Sequence, residues 1–328
     1  MKAILIDENK RLVWSDVQTP EIKEDEVMVK IYATALNRAD LLQRQGKYPP
    51  PEGCPEWMGL EIAGKIVAVG ETVSGWKVGD SVCALLGGGG YAEYAAVKYD
   101  MLMPVPNGLT MEEAAALPEA YATSYLNLLI EGHLKKGQTA FIPAGASGLA
   151  SVAIPMAKAF GARVITSVLT DEIAEKIKNL GADIIINSSR ECVEKVLENE
   201  EKKGTAVNVS MDCLAGETLG KSLPFMACGG YWIVISTLAG VETKILLRPL
   251  LTKGLHLVGS MLRNRPVEYK AYILSELVKN VWPKIEKGEI RPSIYKVFPI
   301  EQAEAAHAIL ERNENIGKVV LRVCGDDK

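Results

Sequence analysis

Residues 139–183 constrain the fold more than any other part of the chain. An apolar run (139–143) leads into a glycine-containing turn (144–150), and residues 151–160 have helical character. Gly161 ends that segment, and Arg163–Val168 is a second apolar run, rich in β-branched residues. A helix between two such strands predicts a right-handed crossover and therefore a parallel sheet.

The turn itself predicts an anion site. Gly145 and Gly148 precede the helix, and Ala150 takes the third glycine position of a dinucleotide fingerprint, where Ala is tolerated. Free backbone N–H groups and the helix dipole both favour an anion such as a pyrophosphate. Pro155, inside the helix, lacks an N–H and predicts a kink.

The rest of the chain predicts a second domain of different character. Residues 27–32 and 62–69 resemble strands of an irregular, mostly antiparallel β domain, and residues 76–83 resemble a turn that leads into a third strand. Strands and helices then alternate from about 140 to 260, which is typical of a doubly wound parallel sheet. One long helix is expected over 267–286, and the final strands are expected to rejoin the first domain. The fold class is therefore α/β, which suits 328 residues.

Composition excludes several functional classes. The net charge is −4 and basic residues are not clustered, so nucleic acid is an unfavourable partner. The apolar runs are too short to span a membrane, and the start of the chain has strand rather than leader character. The six cysteines are scattered, which indicates reduced thiols and a cytoplasmic protein.

Several segments together resemble one family. They are residues 36–50, Gly59-Leu-Glu-Ile-Ala-Gly64, Gly79-Asp80, Leu117-Pro-Glu-Ala120, Gly145-Ala-Ser-Gly148, Leu180-Gly-Ala-Asp183 and Asn315-Ile-Gly-Lys-Val-Val-Leu321. The chain resembles the medium-chain dehydrogenase/reductase superfamily, in its zinc-independent, zeta-crystallin-like quinone oxidoreductase branch. Within that branch it is similar to the subgroup induced by a tumour suppressor. The resemblance implies an alcohol dehydrogenase-like, GroES-like catalytic domain (1–120, completed by 266–328), a Rossmann domain (121–265) and a homodimer.

The metal positions of that superfamily are altered here. The zinc-dependent members use an early Cys and a Gly-His-Glu, whereas this chain has Asn37 and Leu60 in those places. Neither is a zinc ligand. Asp40 and Glu61 alone would bind a metal weakly, so we expect a metal-free protein.

The resemblance implies that a reduced nicotinamide gives hydride to a quinone or another α,β-unsaturated carbonyl, with Asn37 and Tyr48 as the catalytic candidates. It also implies a set of cofactor contacts. These are Asn37, Tyr48, Thr123, Gly145, Ala146, Ser147, Gly148, Leu149, Thr170, Ser188, Ser236, Thr237, Leu262, Arg263, Asn315 and Lys318. Lys318 has a simpler interpretation as a solvated charge.

The choice of cofactor stays open. The second strand ends in Ser167-Val168, without the acid that NAD enzymes use. The lysine that NADPH relatives use is replaced by Ile173, and their stacking tyrosine by Ser188. The chain therefore binds NADPH weakly, accepts NADH, or turns over poorly.

The alternative function is that of a weakly active or non-catalytic family member that binds a nucleotide or RNA. An enoyl-thioester reductase would require more basic residues than Arg44 and Lys47.

Overall fold

The computed structural model describes residues 1–324. They form two compact units, one made of Met1–Ala122 with the segment that starts at Arg263, and the other of Thr123–Leu262. The sequence-based boundaries were 120 and 266. Each unit is described separately below.

The first unit begins with a β-rich segment. Its strands are β1 (Lys2–Ile6), β2 (Leu12–Asp16), β3 (Glu26–Ala35), β4 (Glu61–Val69), β5 (Ser81–Leu85), β6 (Tyr94–Lys98) and β7 (Leu102–Pro104). Its helices are α1 (Arg38–Arg44), α2 (Met111–Ala115) and α3 (Pro118–Tyr125), the last of which runs into the second unit. A π-helical turn over Leu126–Ile130 follows. The α2 helix starts where Thr110 Oγ1 accepts a hydrogen bond from Glu113 N at 3.2 Å.

The second unit alternates strand and helix, as its periodicity predicts. Its strands are β8 (Thr139–Ile142), β9 (Arg163–Val168), β10 (Ile184–Asn187), β11 (Val207–Asp212), β12 (Met226–Val234) and β13 (His256–Gly259). Its helices are α4 (Ala150–Ala159), α5 (Asp171–Lys176), α6 (Val193–Lys202), α7 (Gly216–Ser222) and α8 (Leu247–Thr252). All pairings are parallel, in the order β10-β9-β8-β11-β12-β13. This is the doubly wound order of a Rossmann sheet, and the predicted fold class is confirmed.

Alternation along the strands gives this sheet its two buried faces. Ala140, Ile142 and Val164 pack on the side that α4 covers. Phe141 and Ile165 pack on the opposite side. Successive strand residues point to opposite faces, so strands that are apolar throughout require helices on both sides.

The chain then returns to the first unit through α9 (Val267–Asn280), α10 (Trp282–Glu286), β14 (Ile294–Pro299), α11 (Ala303–Glu311) and β15 (Lys318–Arg322). The single helix expected over 267–286 is wrong: it breaks at Val281. Pro283 cannot donate a hydrogen bond, and its ring disfavours continuation of the preceding turn.

The sheet of the first unit is centred on β3. Antiparallel pairings join β3 to β4, β6 and β15, while β14 and β15 are parallel. The side chains of Val27, Val29, Ile31, Ala33 and Ala35 are fully buried, as a central strand requires. The β3–β15 pairing brings the last described strand beside residues 33–37, which matters for the site below.

Candidate functional site

The glycine turn of the second unit lies against the end of β9. Gly145 N donates to the Ser167 carbonyl at 2.9 Å. A Cβ atom at position 145 would lie 2.4 Å from Thr166 Oγ1, so only glycine allows this approach. Ala144 just before it has φ of 56°, a strained conformation for a residue with a side chain. The turn therefore has the close backbone packing that a dinucleotide cradle requires.

Ser147 ties the turn to α4. Its Oγ accepts from Ala150 N at 3.1 Å, and its carbonyl accepts from Ser151 N at 2.9 Å. Gly148 and Leu149 lie between, and α4 runs for ten residues beyond them. Ser147 thus satisfies the first two amides of α4, and the dipole at this end of the helix favours an anion such as a pyrophosphate on the turn.

The ends of β9 and β10 lie side by side, with Val168 opposite Asn187. The N and Oγ of Ser188 both donate to the Val168 carbonyl, at 2.8 and 3.0 Å. Thr170 Oγ1 accepts from Ile173 N at 3.2 Å and begins α5. Both predicted contacts thus have local structural partners.

Of the remaining predicted contacts of this unit, all but Thr123 follow other strands of the sheet. Ser236 and Thr237 come after β12, and Leu262, which is buried, comes after β13. Thr123 is buried in α3, and its carbonyl accepts from Asn127 Nδ2 at 2.7 Å. Because the strands are parallel, residues that follow them share one edge of the sheet, where ligands of such sheets bind.

A buried polar cluster in the first unit contains Asn37, Glu61 and Lys318. Lys318 Nζ lies 2.7 Å from Glu61 Oε1, 2.7 Å from Asn37 Oδ1 and 2.8 Å from the Leu36 carbonyl. Asn37 Nδ2 donates to Glu61 Oε1 at 2.9 Å. The side chains of Lys318 and Glu61 are 3% and 0% exposed.

This cluster fixes the orientation of the Asn37 amide. Its oxygen accepts from an ammonium group, and its nitrogen donates to a carboxylate, so the flipped amide would meet like groups on both sides. The three protons of Lys318 have three acceptors. The interpretation of Lys318 as a solvated charge is therefore wrong, because β15 pairs with β3 and carries Lys318 into the interior.

A second buried layer supports the start of α1. The Asp40 carboxylate accepts from Asn37 N at 2.7 Å and from Tyr91 Oη at 3.2 Å. Tyr91 Oη also lies 3.3 Å from His307 Nε2. Burial raises the pKa of Asp40 to about 6 and lowers the pKa of His307 to about 3.

Tyr48 and Arg263 form the other predicted pair in this unit. The guanidinium carbon lies 4.6 Å from the centre of the Tyr48 ring. Arg263 Nε donates to the Gly87 carbonyl at 2.9 Å, and Nη2 donates to Gln43 Oε1 at 3.0 Å. Burial raises the pKa of the Tyr48 phenol above its usual value, with Arg263 opposing and Glu119 adding to the shift. The phenol is therefore a protonated hydrogen-bond donor at neutral pH.

The α1 helix joins these two groups, since Asn37 begins it and Gln43 lies on its last turn. Asn315, the remaining predicted contact, donates through Nδ2 to the Gly317 carbonyl at 2.8 Å in the turn before β15. Sequence reasoning gave Gln43 no role in the site. The only sequence signal was its position in residues 36–50, which carry the family resemblance.

Within residues 1–324, no three His, Cys, Asp or Glu side chains converge as a metal site would require. None of the helices described above is long and apolar enough to cross a membrane.

Comparisons with known proteins identify the family. The family described as "Alcohol dehydrogenase GroES-like domain" matches residues 23–107, and "Zinc-binding dehydrogenase" matches residues 148–279. The quinone oxidoreductase of Sus scrofa is 30% identical over 94% of this chain and 92% of its own length. The quinone oxidoreductase-like protein 2 homolog of Nematostella vectensis is 30% identical over 98% and 88%.

The chain belongs to the medium-chain dehydrogenase/reductase superfamily, in its quinone oxidoreductase branch. A solved alcohol dehydrogenase superfamily protein from Novosphingobium aromaticivorans agrees, at 28% identity, with a TM-score of 0.84 over 99% of this chain and 100% of that one. The predicted family is confirmed. As a member of this superfamily, the protein is a nicotinamide dinucleotide-dependent oxidoreductase.

Proposed function

We propose that this oxidoreductase uses NAD(P)H to reduce a quinone or another α,β-unsaturated carbonyl, without a metal. The observation that carries the proposal is the Lys318 ammonium group, which lies 2.7 Å from both Glu61 and Asn37. In zinc-dependent members of the superfamily, the positions of Asn37 and Leu60 supply metal ligands. Here a cation of the chain itself pairs with Glu61, and among residues 1–324 no three His, Cys, Asp or Glu side chains converge as zinc ligands would.

The residues of the glycine turn fit a nicotinamide dinucleotide. The turn at 144–149 would hold its pyrophosphate, and a bound reduced nicotinamide would supply the hydride. The chain must then hold the acceptor and stabilise the negative charge that appears on its oxygen. In a quinone or enone that charge is delocalised, so a hydrogen bond from a neutral donor suffices where a simple ketone would require a stronger acid.

Tyr48 is the residue we propose for that hydrogen bond. Its raised pKa keeps the O–H protonated, and Arg263, packed on its ring, holds the ring in place. Asn37 positions the first turn of α1, and hence the segment that leads to Tyr48, through its contacts with Glu61 and Lys318.

The test is a rate measurement with three acceptor classes. Purified protein is mixed with NADPH or NADH and 1,4-benzoquinone, an open-chain enone or a saturated ketone, with and without a strong chelator. We expect chelator-resistant oxidation of the cofactor with the first two acceptors. Chelator-sensitive turnover of a saturated ketone would contradict the proposal.

The alternative is a member that binds a nucleotide without turnover. It is favoured by Thr170 and Ser188, whose hydroxyl groups already have backbone partners. Tight binding of NADPH or NADH without oxidation by any of the three acceptors would support this alternative.

We also propose a cytoplasmic homodimer. The six cysteines are free thiols, which suits a reducing compartment. Seven of the fourteen large apolar side chains that are exposed in the described chain fall between 238 and 261: Leu238, Val241, Leu246, Leu247, Leu251, Leu257 and Met261. Leu257 lies on β13, the edge strand. Exposed apolar residues in one segment, together with an edge strand whose outer side has no partner strand in the described sheet, support this proposal. Light scattering should give twice the chain mass, and Leu257→Lys should give a monomer.

A further inference from the structure

An exposed ion pair lies where β9 and β10 end. Arg190 Nη1 pairs with Asp171 Oδ2, and the two side chains are 73% and 56% exposed. Asp171 Oδ1 independently accepts from Asn187 Nδ2 at 2.6 Å. Sequence reasoning assigned Arg190 no role.

The register of the sheet places this pair at a specific part of a dinucleotide site. The turn at Gly145 contacts the end of β9 through Ser167, so β9 is the next strand outward from the turn. In Rossmann sheets the ribose of the adenosine half lies beyond the end of that second strand. Asp171 comes three residues after β9 and Arg190 three residues after β10, at the same edge.

The charges of this edge explain how a phosphate could bind beside a carboxylate. Each oxygen of Asp171 already accepts a hydrogen bond, one from Arg190 and one from Asn187. Arg190 largely neutralises it. Exposed ion pairs are weak, so the guanidinium can turn towards a phosphate at little cost, and it forms two parallel hydrogen bonds to such a group.

The position of Arg190 distinguishes it from two nearby cations. Lys176 pairs with Glu172 one turn along α5. Arg163 begins β9, so it lies at the opposite end of that strand, where it pairs with the buried Glu200. Arg190 is therefore the better-placed cation for this edge of the sheet.

We propose that Arg190 recognises the 2′-phosphate of NADPH, and that the Asp171–Arg190 pair sets the preference between NADPH and NADH. This rests on the proposed function, because it assigns residues to the cofactor of the same site. An acid at this edge favours the free ribose hydroxyls of NADH, whereas an arginine favours the 2′-phosphate. When Arg190 turns to the phosphate, Asn187 still donates to the Asp171 carboxylate, and NADPH is the preferred cofactor.

The test measures dissociation constants for NADPH and NADH by calorimetry on the full chain. Wild type is compared with Arg190→Gln, Asp171→Asn and the matched control Lys176→Gln, which removes an exposed cation of α5. Adenosine 2′,5′-bisphosphate and adenosine 5′-monophosphate serve as probes without the nicotinamide. Melting temperatures establish that each variant is folded.

We expect Arg190→Gln to raise the dissociation constants of NADPH and the bisphosphate by ~10-fold or more, because a charged hydrogen bond is lost. The dissociation constants of NADH and the monophosphate should change by less than ~2-fold, the size of a small surface electrostatic effect. Asp171→Asn should lower the dissociation constant of NADPH. Lys176→Gln should leave the ratio of the NADPH and NADH dissociation constants unchanged.

Other results would overturn the inference. If Arg190→Gln leaves the ratio of the NADPH and NADH dissociation constants unchanged, or weakens binding of both dinucleotides equally, Arg190 does not recognise the phosphate. Binding of NADH by the wild type would still leave the proposed function intact. If the wild type binds neither dinucleotide, both the inference and the proposed function are wrong.

Discussion

Two ion pairs in this chain differ almost completely in their surroundings. The Glu61–Lys318 pair is 0% and 3% exposed, and three acceptors surround its ammonium group. The Asp171–Arg190 pair is 56% and 73% exposed. Charges removed from water must keep their partners, whereas charges in water can exchange them. The buried pair therefore suits a fixed scaffold for Asn37, and the exposed pair suits recognition of a charged ligand.

Breaking the buried pair should have the largest effect. Lys318→Met leaves the Glu61 carboxylate buried without its cation, and the free energy of unfolding should fall by ~3–5 kcal/mol. Urea denaturation measures this. The double variant Lys318→Met with Glu61→Gln removes the unpaired charge and should recover part of the loss. A single variant within ~1 kcal/mol of wild type would show that the pair is not desolvated in solution.

The neighbouring Asp40–Tyr91–His307 layer should contribute two opposing pH dependences to the free energy of unfolding, which partly cancel in the wild type. The pKa of Asp40 is raised from 3.8 to about 6, so its stabilising contribution is complete below pH 3.8 and is lost as pH rises through 6. The pKa of His307 is lowered from 6.5 to about 3, so its contribution is present above 6.5 and is lost as pH falls towards 3. Between pH 4 and 6 the two effects oppose each other.

Removing either His307 or Asp40 should reveal the pH dependence that the remaining group gives to the free energy of unfolding. In His307→Gln the free energy of unfolding, relative to wild type, should rise by about 1.4 kcal/mol for each pH unit from 6 down to 4, and Asp40→Asn should show the opposite slope. Arg44 and Glu304 also act on His307, so their charges are kept in both variants. Variants whose stability parallels that of wild type across this range would contradict the assignment.

Tyr48 tests the chemistry rather than the scaffold. Tyr48→Phe keeps the ring that packs on Arg263 but removes the O–H, so kcat/KM for benzoquinone should fall by about 10-fold. The dissociation constant of NADPH should stay unchanged. Tyr99→Phe, at an exposed ring in the same unit, is the control. An equal loss in both variants would remove Tyr48 from the mechanism.

The exposed pair should contribute least to stability. Arg190→Gln and Asp171→Asn should each change the free energy of unfolding by less than ~1 kcal/mol, because solvent screens the pair. The same urea titrations measure this. A loss as large as that of Lys318→Met would mean that the pair is structural, and the comparison between the two pairs would fail.

Local pattern was sufficient for much of the fold. The predicted bounds of β9 are those of the structure, because apolar, β-branched runs between turn residues allow few other conformations. The break at Val281 was missed because the apolar pattern continues across it. Gly145 could be assigned to a dinucleotide-binding turn from the sequence, because its neighbours in sequence form the strand before it and the helix after it.

Local sequence could not predict the arrangement of the candidate site, because that arrangement depends on contacts between distant parts of the chain. Lys318 reaches Asn37 across 281 positions, and the motif at residues 315–321 implied a cofactor contact for it rather than a buried ion pair with Glu61. Arg190 meets Asp171 only because β9 and β10 pair in register. The sequence by itself determined the strands, the glycine turn and the family, because these depend on neighbouring residues. Only the tertiary structure decided which charges are buried and which are exchangeable, because burial and pairing depend on residues that folding brings together.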